Sequence, residues 1–192
     1  MRGLQDKTVI VTGGGGGIGG ATCRRFGEAG ARVAVFDINA ESAAQTAADI
    51  TTAGGVAQAF RCDITDYAEV QSAVGAAAAA LGPIDILINN AGWDVFRLFK
   101  DTTPDQWQKL IAINLVGAFN MHHVVLPGML ERRRGRIVNI ASDAARVGSS
   151  GEAVYAACKS GLVGFSKTIA REHARHGITV NVVCPGATKT AL

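Results

Sequence analysis

The sequence has no Cys-x-x-Cys pair, few aromatic residues, four prolines and little net charge, and each shortage removes a class of protein. Cys23, Cys62, Cys158 and Cys184 are far apart, so neither a disulfide scaffold nor a thiolate metal knuckle is expected; they read as small core residues of a reduced, cytoplasmic protein. Aromatics at 6% argue against an aromatic-centred β-sandwich. A formal charge of +3 demands no nucleic-acid partner, and the one basic run, Arg132-Arg133-Arg134, suits the negative end of a helix. No uninterrupted apolar run is long enough to cross a bilayer, and the N-terminus lacks the apolar stretch of a signal peptide.

What is abundant is glycine (24 residues) and small aliphatic side chains, with 48% hydrophobic residues in 192. Such a chain favours close backbone packing, one domain, and a sheet covered by alanine-rich helices. The pattern alternates. TVIVT at 8–12, RVAVFD at 32–37, 57–61, IDILI at 84–88, RIVNI at 136–140 and TVNVV at 179–183 read as strands. Helices are expected over 21–29, 40–53, a third stretch ending at Gly82-Pro83, from about Pro104, and over 154–175. Strands alternating with helices of this length give right-handed βαβ units. The expected fold is therefore a doubly wound, Rossmann-type parallel sheet in three α/β/α layers, with no domain boundary.

The run from Thr12 to Gly19, TGGGGGIG, falls between the first strand and the first helix. Glycines there let backbone N–H groups approach a pyrophosphate at a helix N-terminus, and strand, loop, helix and second strand come in the required order. Gly13, Gly17, Ile18 and Gly19 are the cradle residues. Asp37 ends the second strand, where a carboxylate accepts from the ribose hydroxyls and repels a 2′-phosphate, which favours NAD over NADP. Capping of the next helix falls to Asn39 rather than Asp37. Asp63 could hold the adenine amino group. Asn90 and Gly92, in NNAG at the end of the fourth strand, complete a set lying beyond the carboxyl ends of the strands.

Tyr155 and Lys159 sit one helical turn apart and share a face. A phenol is a poor base at neutral pH, and a neighbouring ammonium, with the positive charge of an oxidised nicotinamide, lowers its pKa. Ser142, after the fifth strand, could donate to a substrate oxygen. His122-His123 and His173/His176 are read as ordinary histidines, and no metal is expected.

With these motifs in place, TGGGGGIG, Asp63, NNAG, Asn114 in IAIN, Ser142, YAACK at 155–159 and Pro185-Gly186, the chain resembles the short-chain dehydrogenase/reductase family over nearly its whole length. The resemblance implies that Tyr155 is the general acid/base and that Ser142 orients the reacting oxygen. It further implies that Lys159 binds the nicotinamide ribose and tunes Tyr155, and that Asn114 holds a water in a proton relay. Pro185, Gly186 and Thr190 would border the nicotinamide. It also implies a homotetramer, and a substrate loop, a last helix and a seventh strand beyond Leu192.

Outside the motifs, GWDVF at 92–96, MHHVVLPGM at 121–129 and the segment 140–168 are similar to family members that oxidise an alicyclic 2-hydroxyacyl-CoA thioester. That implies Trp93, Phe96 and Val147 as an apolar substrate wall, with Arg97, Lys100 or Arg146 as weaker candidates for CoA phosphates. The alternatives are a 3-oxoacyl-thioester reductase and, from another class, a non-catalytic NAD-binding regulator. The regulator reading is disfavoured because Tyr155 and Lys159 are both present.

Overall fold

The computed structural model describes residues 3–188. Its centre is a six-stranded sheet in the order β3-β2-β1-β4-β5-β6, every pairing parallel. The strands are β1 (Thr8–Thr12), β2 (Arg32–Asp37), β3 (Val56–Arg61), β4 (Ile84–Asn89), β5 (Gly135–Ile140) and β6 (Ile178–Val183). β1 and β4 are buried along their whole length, which is why they read as continuous apolar runs rather than alternating ones. The chain order reverses between β1 and β4, and the crevice for a ligand opens there at the carboxyl ends of the strands.

Helices α1 (Gly17–Glu28) and α2 (Ala40–Thr52) cover one face over Val9, Val11, Val33 and Val35. Helices α3 (Tyr67–Leu81), α5 (Gly117–Glu131) and α7 (Ala153–His173) cover the other, over Ile10, Phe36, Leu87 and Ile137. Short helices α4 (Pro104–Ile111) and α6 (Ala144–Val147) flank the crevice. On the α1/α2 side, Thr179, Asn181 and Val183 of the edge strand β6 are exposed.

Three expectations change. Helix α1 begins at Gly17, inside the glycine run, rather than at 21. The last two residues of the expected long helix, Ala174 and Arg175, fall with His176 in a tighter 3-10 turn ending at left-handed Gly177. The continuous helical stretch Pro104–Glu131 is, at 28 residues, long and apolar enough by composition to cross a membrane. Its apolar residues have another use: Met121, Val125 and Met129 pack into the core against the sheet.

The arginine run terminates α5 as expected, and its side chains are tied to the scaffold. Arg132 donates to the Ile84 carbonyl, Arg133 to the Arg175 carbonyl, and Arg134 pairs with the buried Asp85 at 2.7 Å. Beneath α5 lies a buried polar chain. Asn89 Nδ2 donates to Asn139 Oδ1 (2.8 Å), Asn139 Nδ2 to Ser166 Oγ (2.7 Å), and Ser166 to the Leu162 carbonyl. His122 Nδ1 faces the Ala118 carbonyl at 2.8 Å and so carries the ring hydrogen; burial pushes its pKa down to about 4 and keeps the ring neutral.

Candidate active site

The glycine loop leaves β1 and folds back under β2. Gly13 has φ 61°, and a Cβ there would stand 2.9 Å from Ala91 Cα, so only glycine suits the position. At Gly19 a Cβ would overlap the Gly13 carbonyl oxygen, so α1 packs directly on the loop. Asn90 locks the loop from the other side: its Nδ2 donates to the carbonyls of Thr12 (3.0 Å) and Gly13 (3.2 Å). The Thr12 hydroxyl in turn accepts from the backbone N–H groups of Asn90 and Ala91. Gly16, at the N-cap of α1, offers no side chain to its first turn and is exposed beside Gly17. The free N–H groups of that turn form an anion-binding end suited to a dinucleotide's phosphates.

Asp37 stands at the tip of β2. Its Oδ2 accepts from the Gly15 N–H at 2.9 Å and its Oδ1 from the Asn39 N–H at 2.9 Å, while Asn39 caps α2 through Ser42. The acid is thus pinned at the outer end of the cradle. Asp63 is turned inward on its own loop, its Oδ1 accepting from the Thr65 N–H and hydroxyl. Ile18 is half-buried in the first turn of α1. Pro185 accepts from the Asp143 N–H, and Gly186 lies exposed just beyond. Thr190 lies outside the described residues.

Ser142, Tyr155 and Lys159 meet at the carboxyl end of β5. The Ser142 hydroxyl accepts from the Ala144 N–H at 3.2 Å and lies near enough to the Tyr155 phenol to lower its pKa. Lys159 is 3% exposed, and its Nζ donates to the Ile140 carbonyl at 3.0 Å while lying 5.5 Å from the centre of the Tyr155 ring. Burial lowers the Lys159 pKa to about 8. The Tyr155 pKa is raised, by burial first and then by the acids Asp94 and Glu152, with the Ser142 hydroxyl opposing. The lowering expected from Lys159 is absent here. The ammonium is itself weakened by desolvation and is directed at a backbone carbonyl.

Asn114 is buried inside a π-helical turn, Ala112–Val116, that interrupts the run from α4 to α5. Its Nδ2 donates to the carbonyls of Trp93 (2.7 Å) and Leu110 (3.0 Å), and its Oδ1 accepts from the Trp93 N–H. Such turns place a side chain where a regular helix would not. Asn114 Oδ1 and Lys159 Nζ converge on Gly92, where a Cβ would stand 3.0 and 3.4 Å from them.

On the expected substrate side, the Trp93 ring is half-buried with Lys109 Nζ 4.1 Å above its centre. Phe96 and Val147 are each 75% exposed at the mouth of the crevice. Lys100 pairs with Asp101 and Arg146 with Asp143, each at 3.5 Å, and Arg97 is exposed. Two residues escaped the sequence reading: Asp94 and Glu152, which line one cleft with Tyr155. An acid directly after NNAG-Trp and another one turn before Tyr155 were the available signals. No cluster of three metal-ligating side chains occurs among the described residues.

Known proteins share this chain's sequence pattern and fold. A family profile described as short chain dehydrogenase matches residues 7–192. Acetoacetyl-CoA reductase of Shinella zoogloeoides is 41% identical over 188 residues, covering 98% of this chain and 76% of that protein. 3-Oxoacyl-[acyl-carrier-protein] reductase of Escherichia coli is 38% identical over 187 residues, covering 97% and 75%. The structure of NAD+-bound xylitol dehydrogenase superimposes with a TM-score of 0.93 at 34% identity, covering 96% of this chain and 72% of that one.

Proposed function

The chain belongs to the short-chain dehydrogenase/reductase family, and from that premise we propose that it interconverts β-hydroxyacyl and β-oxoacyl thioesters with NAD. It is an oxidoreductase of hydroxyl and keto groups; the substrate, the choice of NAD and the residue roles below are the proposal. One observation carries the chemistry: the Ser142 hydroxyl, the Tyr155 phenol and the buried Lys159 ammonium meet where β5 and α7 face the switch point of the sheet.

The cradle of Gly13 to Gly19 and the pinned carboxylate of Asp37 fit a nicotinamide dinucleotide, which supplies the hydride donor or acceptor when bound. Asp37 favours NAD, since a 2′-phosphate would meet a fixed carboxylate. Ser142 holds the reacting oxygen. Tyr155, with its raised pKa, keeps its phenolic proton at neutral pH and delivers it to the carbonyl oxygen as the ketone is reduced. Lys159, with a pKa of about 8, can replenish that proton, and Asn114 Oδ1 stands beside it toward the interior. In the oxidising direction the same atoms run in reverse, and Tyr155 must lose its proton first.

The thioester reading is supported by what the relatives are named for, acetoacetyl-CoA and 3-oxoacyl carrier-protein reduction. The narrower likeness to bacterial 2-hydroxycyclohexanecarboxyl-CoA dehydrogenase, carried by 92–96 and 140–168, fits the same chemistry, since that hydroxyl is also β to the thioester carbonyl. Exposed Phe96 and Val147 would border such a ring. The proposal keeps a cytoplasmic homotetramer as its setting. Acetoacetyl-CoA with NADH or NADPH, followed at the absorbance of the reduced nicotinamide, tests it. Turnover preferring NADH supports both parts. Turnover only of simple ketones or polyols removes the thioester, and turnover only with NADPH removes the Asp37 argument.

A further inference from the structure

Asp94 and Glu152 belong to neither the cradle nor the Ser142–Tyr155–Lys159 group, yet they stand against it. Asp94 follows Trp93 on the loop after β4, and Glu152 sits at the N-cap of α7, one turn before Tyr155. An acid at an N-cap would ordinarily accept from its own helix, but the Glu152 side chain makes no capping bond and lines the same cleft as Asp94, near enough to raise its pKa. Both oxygens of Asp94 are closed to solvent, and no side-chain donor reaches them. A buried acceptor pair left without donors is costly unless it takes up a proton or meets a ligand. Arg97, Tyr155 and the two acids line one cleft, and Lys159 is the nearest buried cation, already committed to the Ile140 carbonyl.

We infer that the Asp94–Glu152 pair is the element that admits an uncharged acyl group, a thioester or ester carbonyl, beside the reacting carbon and turns away a free carboxylate. The inference rests on the β-hydroxyacyl reading, in which the acyl oxygen lies one carbon from the reacting centre and therefore beside Tyr155. Two carboxyls near each other do not readily ionise together. With one proton the pair can donate to a carbonyl oxygen while still carrying one negative charge; with none it carries two. Both states disfavour a carboxylate substrate, the fully ionised one more strongly. Burial first, then Glu152, pushes the Asp94 pKa up to about 6, so the selection weakens as the pH falls toward that value.

The test uses the complete native protein and a pair of substrates matched in size, methyl 3-hydroxybutyrate and 3-hydroxybutyrate, with NAD⁺. 3-Hydroxybutyryl-CoA is run alongside. Wild type should favour the ester over the acid by roughly a hundredfold in kcat/KM, a repulsion of the size like charges impose. Asp94→Asn and Glu152→Gln should each cut that ratio by about tenfold, mainly through the KM of the acid. In wild type the ratio should also fall between pH 8 and pH 5.5, where the acid substrate itself stays ionised. A ratio unchanged in both variants and flat with pH overturns the inference. If an amide variant does not fold, as shown by its melting curve, the wild-type pH series alone decides. Failure of the thioester reading shows separately, as turnover of the methyl ester without turnover of the CoA compound.

Discussion

The two walls of the crevice are built on different principles. The wall from β1, β2 and the glycine loop is made of backbone. Gly13 and Gly19 admit no side chain, Asn90 stitches the loop to β4, and Asp37 is held by two N–H groups. The wall from β5, α7 and the loop after β4 is made of side chains, with Tyr155 and Lys159 shifted by burial and the Asp94 oxygens without donors. At its mouth Phe96 and Val147 stand in solvent. The first wall is fixed in shape before any ligand arrives, with only the backbone N–H groups of the α1 turn left open for phosphates, whereas the second keeps side chains in reserve. A common cofactor can be met by rigid backbone, while a particular substrate is met by side chains still wanting partners.

Substitutions on each wall should therefore fail differently. The largest effect is expected from Tyr155→Phe, which leaves the Ser142 hydroxyl and the fold in place and removes only the transferable proton. A loss of about 10³-fold or more in kcat, with dinucleotide affinity little changed, is the expected result of a kinetic and fluorescence-binding comparison. Gly19→Ala strikes the backbone wall, where the added Cβ meets the Gly13 carbonyl. Dinucleotide binding, measured by calorimetry, should fall by roughly a hundredfold, at a strain of a few kcal/mol. Asp37→Ala should change the choice rather than the chemistry, narrowing an NADH over NADPH preference by about tenfold in kcat/KM.

A smaller effect is expected away from both walls. His122→Ala would leave a cavity beneath α5 and remove the ring's bond to the Ala118 carbonyl, which keeps its helical backbone partner, costing about 2–4 kcal/mol in denaturant unfolding. His122 also has a pH signature. Its folded pKa, about 4, lies below the ordinary 6.5, so its contribution is complete above pH 6.5 and is lost as the pH falls toward 4. That segment of the stability curve should flatten in the variant.

The same contrast explains what could be read from the sequence. Strand positions, the cradle and the helical spacing of Tyr155 and Lys159 are local patterns, and β2 spans Arg32 to Asp37 as expected from RVAVFD. The start of α1 was misplaced because glycine's low helix propensity hides a helix that packing on the loop imposes. The π-turn around Asn114 has no local signal; it follows from how Asn114 clamps Trp93, a contact across 21 positions of sequence. The Asp94–Glu152 pair joins two loops that only the sheet brings together, so neither residue announced the other.

The central claim is that Tyr155 is poised as an acid, with its proton held by burial, at the side-chain wall. Its most direct test is the initial rate of acetoacetyl-CoA reduction by NADH from pH 6 to pH 10, for wild type and Tyr155→Phe. A rate steady near neutrality that falls on the alkaline side, and is lost at every pH in the variant, is the predicted result. A rate that rises with pH, or a variant that keeps the wild-type rate, would contradict it.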